Sequence, residues 1–208
     1  MARIGIYGGT FNPPHNGHLH AAASARNALS LDRVIFIPAN IPPHKTLPLG
    51  SATAEERFEM VLLATASYEW AEVSDIELRA SGKNYTVQTL RKLKQQYPED
   101  HLFLIIGTDM LLTLDQWYQP SELLRLASVA AVGRNYGDAS EMHRAQIRLA
   151  EKFDADIHLV SCDPLPMSST QIRDWSADEI RNHVPADVYT FISERKLYRK
   201  REQNNNEF

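Results

Sequence analysis

The sequence predicts an α/β fold, an open parallel sheet with helices on both faces, on three observations. Short apolar runs, most of them rich in β-branched residues, recur at residues 4–7, 34–37, 102–106, 129–132 and 157–160 and end at Gly, Pro or Ser, as strands buried on both faces do. Between them lie segments with apolar residues at helical spacing, long enough to be the right-handed crossovers that join parallel strands. The chain has 208 residues, 43% of them hydrophobic and 23% charged, enough for a core of its own and too apolar for global disorder.

The first strand runs into Gly8-Gly9-Thr10-Phe11-Asn12-Pro13-Pro14-His15-Asn16-Gly17-His18-Leu19, and a helix follows through Ala21, Ala22, Ala23 and Ala28. A glycine pair at the carboxyl end of a strand lets backbone approach a phosphate and leaves N–H groups pointing outward. Asn16 is placed to cap the helix, and His18 falls in its first turn beside N–H groups that carry partial positive charge. His15 and His18 therefore flank a helix N-terminus, a pair able to grip a phosphate and donate to charge developing on it. A metal site made of His15, His18 and His20 is disfavoured, because no Cys or carboxylate stands nearby at ligand spacing. The Walker pattern is absent, and Gly5, Gly8, Gly9 and Gly17 do not space as the dinucleotide fingerprint requires.

Beyond the second strand, residues 38–50 contain Pro38, Pro42, Pro43 and Pro48 and can be neither helix nor central strand; an irregular connection of this length is more often functional than idle. It can present His44 and Lys45 to an anion. Thr53 with Glu56 forms a capping box for a helix carrying Phe58, Val61, Leu62 and Ala66. Asn84-Tyr85-Thr86 opens another, with Thr86 a candidate cap and Val87, Leu90, Leu93 and Tyr97 on one face. The strand at 102–106 delivers Gly107-Thr108-Asp109 to a helix start, where Asp109 could hydrogen-bond a ribose. Trp117-Tyr118 is an aromatic pair of a kind usually found in cores, and Pro120 begins the next helical stretch. After the last two strands, Ser168 or Ser169 caps a short helix bearing Arg173, where an arriving anion would offset the unfavourable placing of a cation near a helix start. Val188, Phe191, Ile192 and Leu197 predict a final amphipathic helix. The expected organisation is one domain over 1–198 and a polar tail over 199–208.

The segment from Gly8 to Leu19 resembles the signature of the nucleotidyltransferase superfamily that carries a His-x-Gly-His motif. The Pro43-His44-Lys45 loop, Tyr85-Thr86, Trp117-Tyr118 and Ser168-Ser169-Thr170-Gln171-Ile172-Arg173 occur in the order found in its bacterial nicotinate-mononucleotide adenylyltransferase family. The resemblance runs to about Tyr198. It implies a Rossmann-like open parallel sheet of the nucleotidyltransferase type and transfer of the adenylyl group of ATP to nicotinate mononucleotide. ATP binding is implied for Gly8, Gly9, Thr10, Phe11, Gly107, Asp109, Ser169 and Thr170, and ATP binding with catalysis for His15, His18 and Arg173. For the pyridine mononucleotide it implies Asn40, His44, Lys45, Tyr85, Thr86, Trp117 and Tyr118, with Trp117 stacking on the ring. Mg2+ is expected with ATP, held by phosphates and water without a dedicated protein cage, and no metal-binding residues are expected. Two departures are Met167, where an aliphatic residue is usual, and Asn12, where the family commonly has Asp.

Twenty-two Lys and Arg against 26 Asp and Glu give a formal charge of −4, the wrong sign for a nucleic-acid partner. The one cysteine, Cys162, cannot form an internal disulfide, and no secretory pattern precedes Gly9, so a cytoplasmic setting is expected. No apolar run approaches the roughly 20 residues that cross a bilayer, so no membrane partner is expected. Association into a homo-oligomer is left open. The competing readings are a sister enzyme, such as pantetheine-phosphate adenylyltransferase or a cytidylyltransferase, and a non-catalytic nucleotide sensor.

Overall fold

The computed structural model describes residues 1–40, 47–48, 50–80, 82–133, 139–163, 165 and 167–198. The elements are β1 (Arg3–Gly9), α1 (Asn16–Leu29), β2 (Arg33–Pro38), α2 (Ala54–Thr65), β3 (Ala71–Val73), α3 (Thr86–Gln96), β4 (His101–Gly107), α4 (Thr108–Leu112), a 3-10 turn (Leu114–Gln116), α5 (Pro120–Leu126), β5 (Ser128–Val132), α6 (Ala139–Phe153), β6 (Ile157–Val160), α7 (Ser169–Asp174), α8 (Ala177–His183) and α9 (Ala186–Glu194). Every strand pairing is parallel, in the order β3-β2-β1-β4-β5-β6. The chain winds outward from β1 to β3, returns to the middle for β4 and winds the other way. Between β1 and β4 the winding reverses, and a crevice opens there at the carboxyl ends of the strands.

Alternation along the strands divides the core in two. Ile4, Ile6, Leu102, Leu104 and Ile106 face the layer of α3 to α6, whereas Phe36, Phe103, Ile105 and Ala130 face α1, α2 and α7 to α9. Each such fully buried large side chain contributes roughly 1.5–3 kcal/mol. The capping box of α2 forms as expected, Glu56 N–H donating to Thr53 Oγ1 at 3.1 Å and Thr53 N–H to Glu56 Oε2 at 2.8 Å.

Four local expectations change. The sheet gains β3, whose three residues, Ala71, Glu72 and Val73, are too short to show a pattern; the strand is fixed by pairing with β2. His15 rather than Asn16 occupies the N-cap of α1, and Tyr85 rather than Thr86 that of α3. The last helix ends at Glu194, not near Leu197, because Lys196 and Tyr198 take left-handed backbone conformations with φ of 56° and 59°. The proposed tail, 199–208, lies outside the described residues.

Candidate active site

A cleft of about 660 Å³ opens over the reversal point. Gly8, Gly9, Thr10, Phe11, His15 and His18 line its β1 side, Gly107, Tyr85, Thr86, Trp117 and Tyr118 its β4 side, and Ser169, Thr170 and Arg173 join the first group from α7. His44 and Lys45 lie outside the described residues. Asn40 and Asp109 are not part of the lining. The Asn40 amide is turned away to donate to the Ala80 carbonyl at 3.2 Å, and Asp109 stands exposed in the first turn of α4.

Beside the two histidines, close approach dictates the sequence. A Cβ at Gly17 would lie 3.0 Å from Nδ1 of His15, and one at Gly9 would lie 3.0 Å from the ring of Phe11, so a larger residue at either position would have to displace these rings. Phe11 itself is buried with φ of 48°, a left-handed conformation costly for a bulky residue. Its ring contacts Tyr7 and His18 with centroids 5.7 and 5.0 Å away. The His15 and His18 rings stack at 3.7 Å. The His15 N–H donates to Nδ1 of His18 at 3.2 Å. That bond makes Nδ1 an acceptor, so the proton of a neutral His18 is on Nε2, which becomes a donor. The start of α1 adds the positive end of its dipole.

Arg173 is held by three acceptors: the Asn12 carbonyl at 2.7 Å, the Ser169 carbonyl at 3.0 Å and Thr170 Oγ1 at 3.2 Å. It stands in the last turn of its six-residue helix rather than the first. Ser168 caps that helix, accepting from the Gln171 N–H at 3.3 Å, while the Ser169 hydroxyl donates to the Pro13 carbonyl at 2.9 Å. Met167 packs at the same junction, its Cγ 3.2 Å from a Cβ placed on Gly17.

Asn12, marked in the sequence as a departure, and Arg57, which the sequence did not single out, hold this arrangement. Asn12 is 2% exposed; its Nδ2 donates to Ser51 Oγ at 3.0 Å, and its Oδ1 accepts from the Ala52 N–H at 3.3 Å and the Tyr198 hydroxyl at 2.7 Å. Burial raises the pKa of that hydroxyl and keeps it a donor. An amide can serve all three bonds without charge. Arg57 is 1% exposed and donates to the carbonyls of Thr10 at 2.7 Å and Asn40 at 3.0 Å. A trans peptide points its C=O and N–H in opposite directions, so drawing the Thr10 carbonyl to Arg57 turns the Phe11 N–H the other way. Burial pulls the guanidinium pKa down, yet such a group stays protonated, and it adds a buried positive charge behind the loop. In retrospect the signal was present: Arg57 shares the stripe of Met60, Val61 and Ala64, the buried face of α2.

The other end of the cleft is aromatic. Trp117 follows the 3-10 turn and is half-buried, packed against the core and also lining the cleft. Tyr85 and Tyr118 stack with centroids 4.6 Å apart, and Tyr118 is 48% exposed. Among the described residues no group of three His, Cys, Asp or Glu is arranged to hold a metal ion, and no helix is long and apolar enough to cross a membrane.

Comparison with known proteins agrees with this geometry. Residues 6–175 match the family model described as cytidylyltransferase-like. A protein of Synechococcus sp. (strain JA-3-3Ab), named probable nicotinate-nucleotide adenylyltransferase, is 41% identical over 199 residues, 94% of either chain. One of the same name from Shouchella clausii (strain KSM-K16) is 40% identical over 200 residues, 95% of this chain and 97% of the relative. Among solved structures, the Plasmodium falciparum nicotinic acid mononucleotide adenylyltransferase complexed with NaAD superposes with a TM-score of 0.78 at 17% identity, covering 95% of this chain and 98% of the other. Its complex with APC gives 0.75 at 16% identity over the same shares. These two show the shared fold.

Proposed function

We propose, from the premise that the chain belongs to the cytidylyltransferase-like family and within it to the nicotinate-nucleotide adenylyltransferases, that it transfers the adenylyl group of ATP to nicotinate mononucleotide, giving nicotinate adenine dinucleotide and pyrophosphate, a step of NAD biosynthesis. The observation that carries this reading is a single cleft with a cationic, donor-rich end and an aromatic end.

The substrate phosphate attacks the α-phosphorus of ATP in line, and pyrophosphate leaves, so no protein nucleophile is needed. The protein's part is to hold two anions that repel each other and to offset charge on the transferring and leaving phosphates. Backbone of Gly8 to Phe11 and the start of α1 receive the triphosphate. His18 donates through Nε2, His15 lies against it, and the fixed guanidinium of Arg173 supplies a full positive charge, with Ser169 and Thr170 shaping its setting. Mg2+ enters as part of the nucleotide substrate, held by phosphate oxygens and water. Trp117 stacks on the pyridine ring, with Tyr85, Thr86 and Tyr118 around it; backbone N–H groups at the start of α3 and the Thr86 hydroxyl suit the ring carboxylate. His44 and Lys45, which lie outside the described residues, are assigned to the mononucleotide by the resemblance and by their cationic chemistry alone. Asn40 borders the mononucleotide, with its backbone carbonyl held by Arg57 and its side-chain amide by the Ala80 carbonyl, and Gly107 with Asp109 borders the adenosine. A cytoplasmic setting goes with an ATP-consuming enzyme whose Cys162 has no second cysteine to pair with.

Pyrophosphate release with Mg2+ and ATP, compared across nicotinate mononucleotide, nicotinamide mononucleotide and phosphopantetheine, tests the reading. Preference for the first supports it; turnover with phosphopantetheine alone, or with none, overturns the substrate.

A further inference from the structure

Glu77 lies between β3 and α3 and is only 8% exposed, yet it forms part of the cleft wall. Thr89 Oγ1 donates to its Oε1 at 2.7 Å, and Asn84 Nδ2 fixes its backbone carbonyl at 3.0 Å. Thr86 and Thr89 stand one helical turn apart on α3 and both line the cleft, which puts the carboxyl on the wall that carries the ring end of the site. Among the described residues no cation bonds to it. In its own segment Arg79 is taken by Asp75 at 2.6 Å; across the α3–α5 contact Arg91 is taken by Glu122; and Lys92, exposed on α3, reaches it through its field alone. Burial lifts the Glu77 carboxyl from the usual range to about 7. A carboxyl kept nearly dry, with one neutral donor and no counter-charge, ionises at a cost that an arriving cation would remove. Trp117, Tyr85 and Tyr118 line the same cleft, and their ring faces also favour a cation.

We propose that Glu77 is the counter-charge for the cationic pyridinium ring of the mononucleotide, a specificity residue that selects the oxidised, positively charged ring over an uncharged reduced one. The inference rests on the substrate reading above and deepens it. The N-ribosyl pyridinium charge is common to the acid and amide mononucleotides, so Glu77 does not choose between them; that choice stays with the start of α3. The site instead excludes dihydropyridine mononucleotides, which match the oxidised ring in size and phosphate but lack its charge.

The test is direct binding to the full chain, read by tryptophan fluorescence, of nicotinamide mononucleotide and its reduced dihydropyridine form between pH 7 and 8.5, for wild type and Glu77→Gln. Wild type should prefer the oxidised form, increasingly so as pH rises and Glu77 ionises. Glu77→Gln keeps an acceptor for Thr89 and should lower that preference about tenfold, the size expected of one partly screened charge pair. It should also remove the pH trend in the ratio while leaving affinity for the reduced form unchanged. A ratio equal to that of wild type, equal weakening of both forms, or affinity for the oxidised form that falls as pH rises would overturn the proposal. Failure of wild type to bind either form, together with turnover of a different phosphate acceptor, would mark failure of the substrate reading itself and take this inference with it.

Discussion

At the donor-rich end of the cleft, proposed to take the phosphates, residues 12–13, 51–52, 169–173 and 198 come from four distant parts of the chain and are tied together by hydrogen bonds of 2.7 to 3.3 Å. At the aromatic end, proposed to take the pyridine ring, Trp117, Tyr85 and Tyr118 offer ring faces, and Tyr85 and Tyr118 stack at 4.6 Å. The contrast fits what each end is proposed to hold. Charge that develops on a phosphate is stabilised only by donors already in place, because reorganising them during reaction forfeits the gain. A flat ring is held by contact area, which tolerates small displacements. Faults at the first end should therefore appear in turnover, and faults at the second in substrate affinity.

The sharpest way to break the contrast is His18→Ala. Loss of one donor to the transition state should reduce kcat on the order of a hundredfold or more, while the melting temperature falls by only about 2–4 °C, the share of the one hydrogen bond from the His15 N–H that is lost. Near-normal turnover would remove His18 from the mechanism. Trp117→Ala comes next: losing a stacked ring should raise KM for the pyridine mononucleotide by about tenfold, within the range of one base–aromatic stack, and leave KM for ATP alone. An unchanged KM for the pyridine substrate would return Trp117 to a purely structural part.

Two smaller effects concern stability. The pKa of Glu77 is raised from 4.5 to about 7 in the folded protein, so the folded state binds this proton more tightly than the unfolded one. Its stabilising share is present below about pH 4.5 and is lost as pH rises through 7. Glu77→Gln should accordingly raise the melting temperature at pH 8 and not at pH 5; a pH-independent difference would contradict the burial argument. Tyr198→Phe removes a hydrogen bond worth about 1 kcal/mol, or about 2–4 °C in a chain of this size. If the phosphate end depends on its cross-ties, kcat should fall with it while KM for the pyridine substrate stays constant.

The glycine and histidine motif was legible because it sits on consecutive residues at the end of an unmistakable strand, where sequence order and spatial order coincide. The same holds for Ser169, Thr170 and Arg173 on α7. Arg57 was legible in principle, as a cation in the apolar stripe of a helix. Glu77 carried no such signal: it lies in a stretch without periodicity, and its partner Thr89 is brought to it by the fold. Asn40 shows the opposite limit. The resemblance implied a place in the pyridine nucleotide site, whereas the local path of the chain turns its amide to Ala80.

By itself, the sequence determined the alternation of strand and helix, the location of the crevice-forming loop and the chemical character of both ends of the cleft. These are encoded by periodicity and by short contiguous motifs, and local backbone preference and burial are enough to read them. Only the tertiary structure decided the β3 edge, the role of Asn12 as a junction for Ser51, Ala52, Tyr198 and Arg173, the support of Thr10 and Asn40 by Arg57, and the placing of an unpaired carboxyl at Glu77. Each of these depends on contacts between residues far apart in the chain, and such contacts leave no period in the sequence because nothing local constrains them.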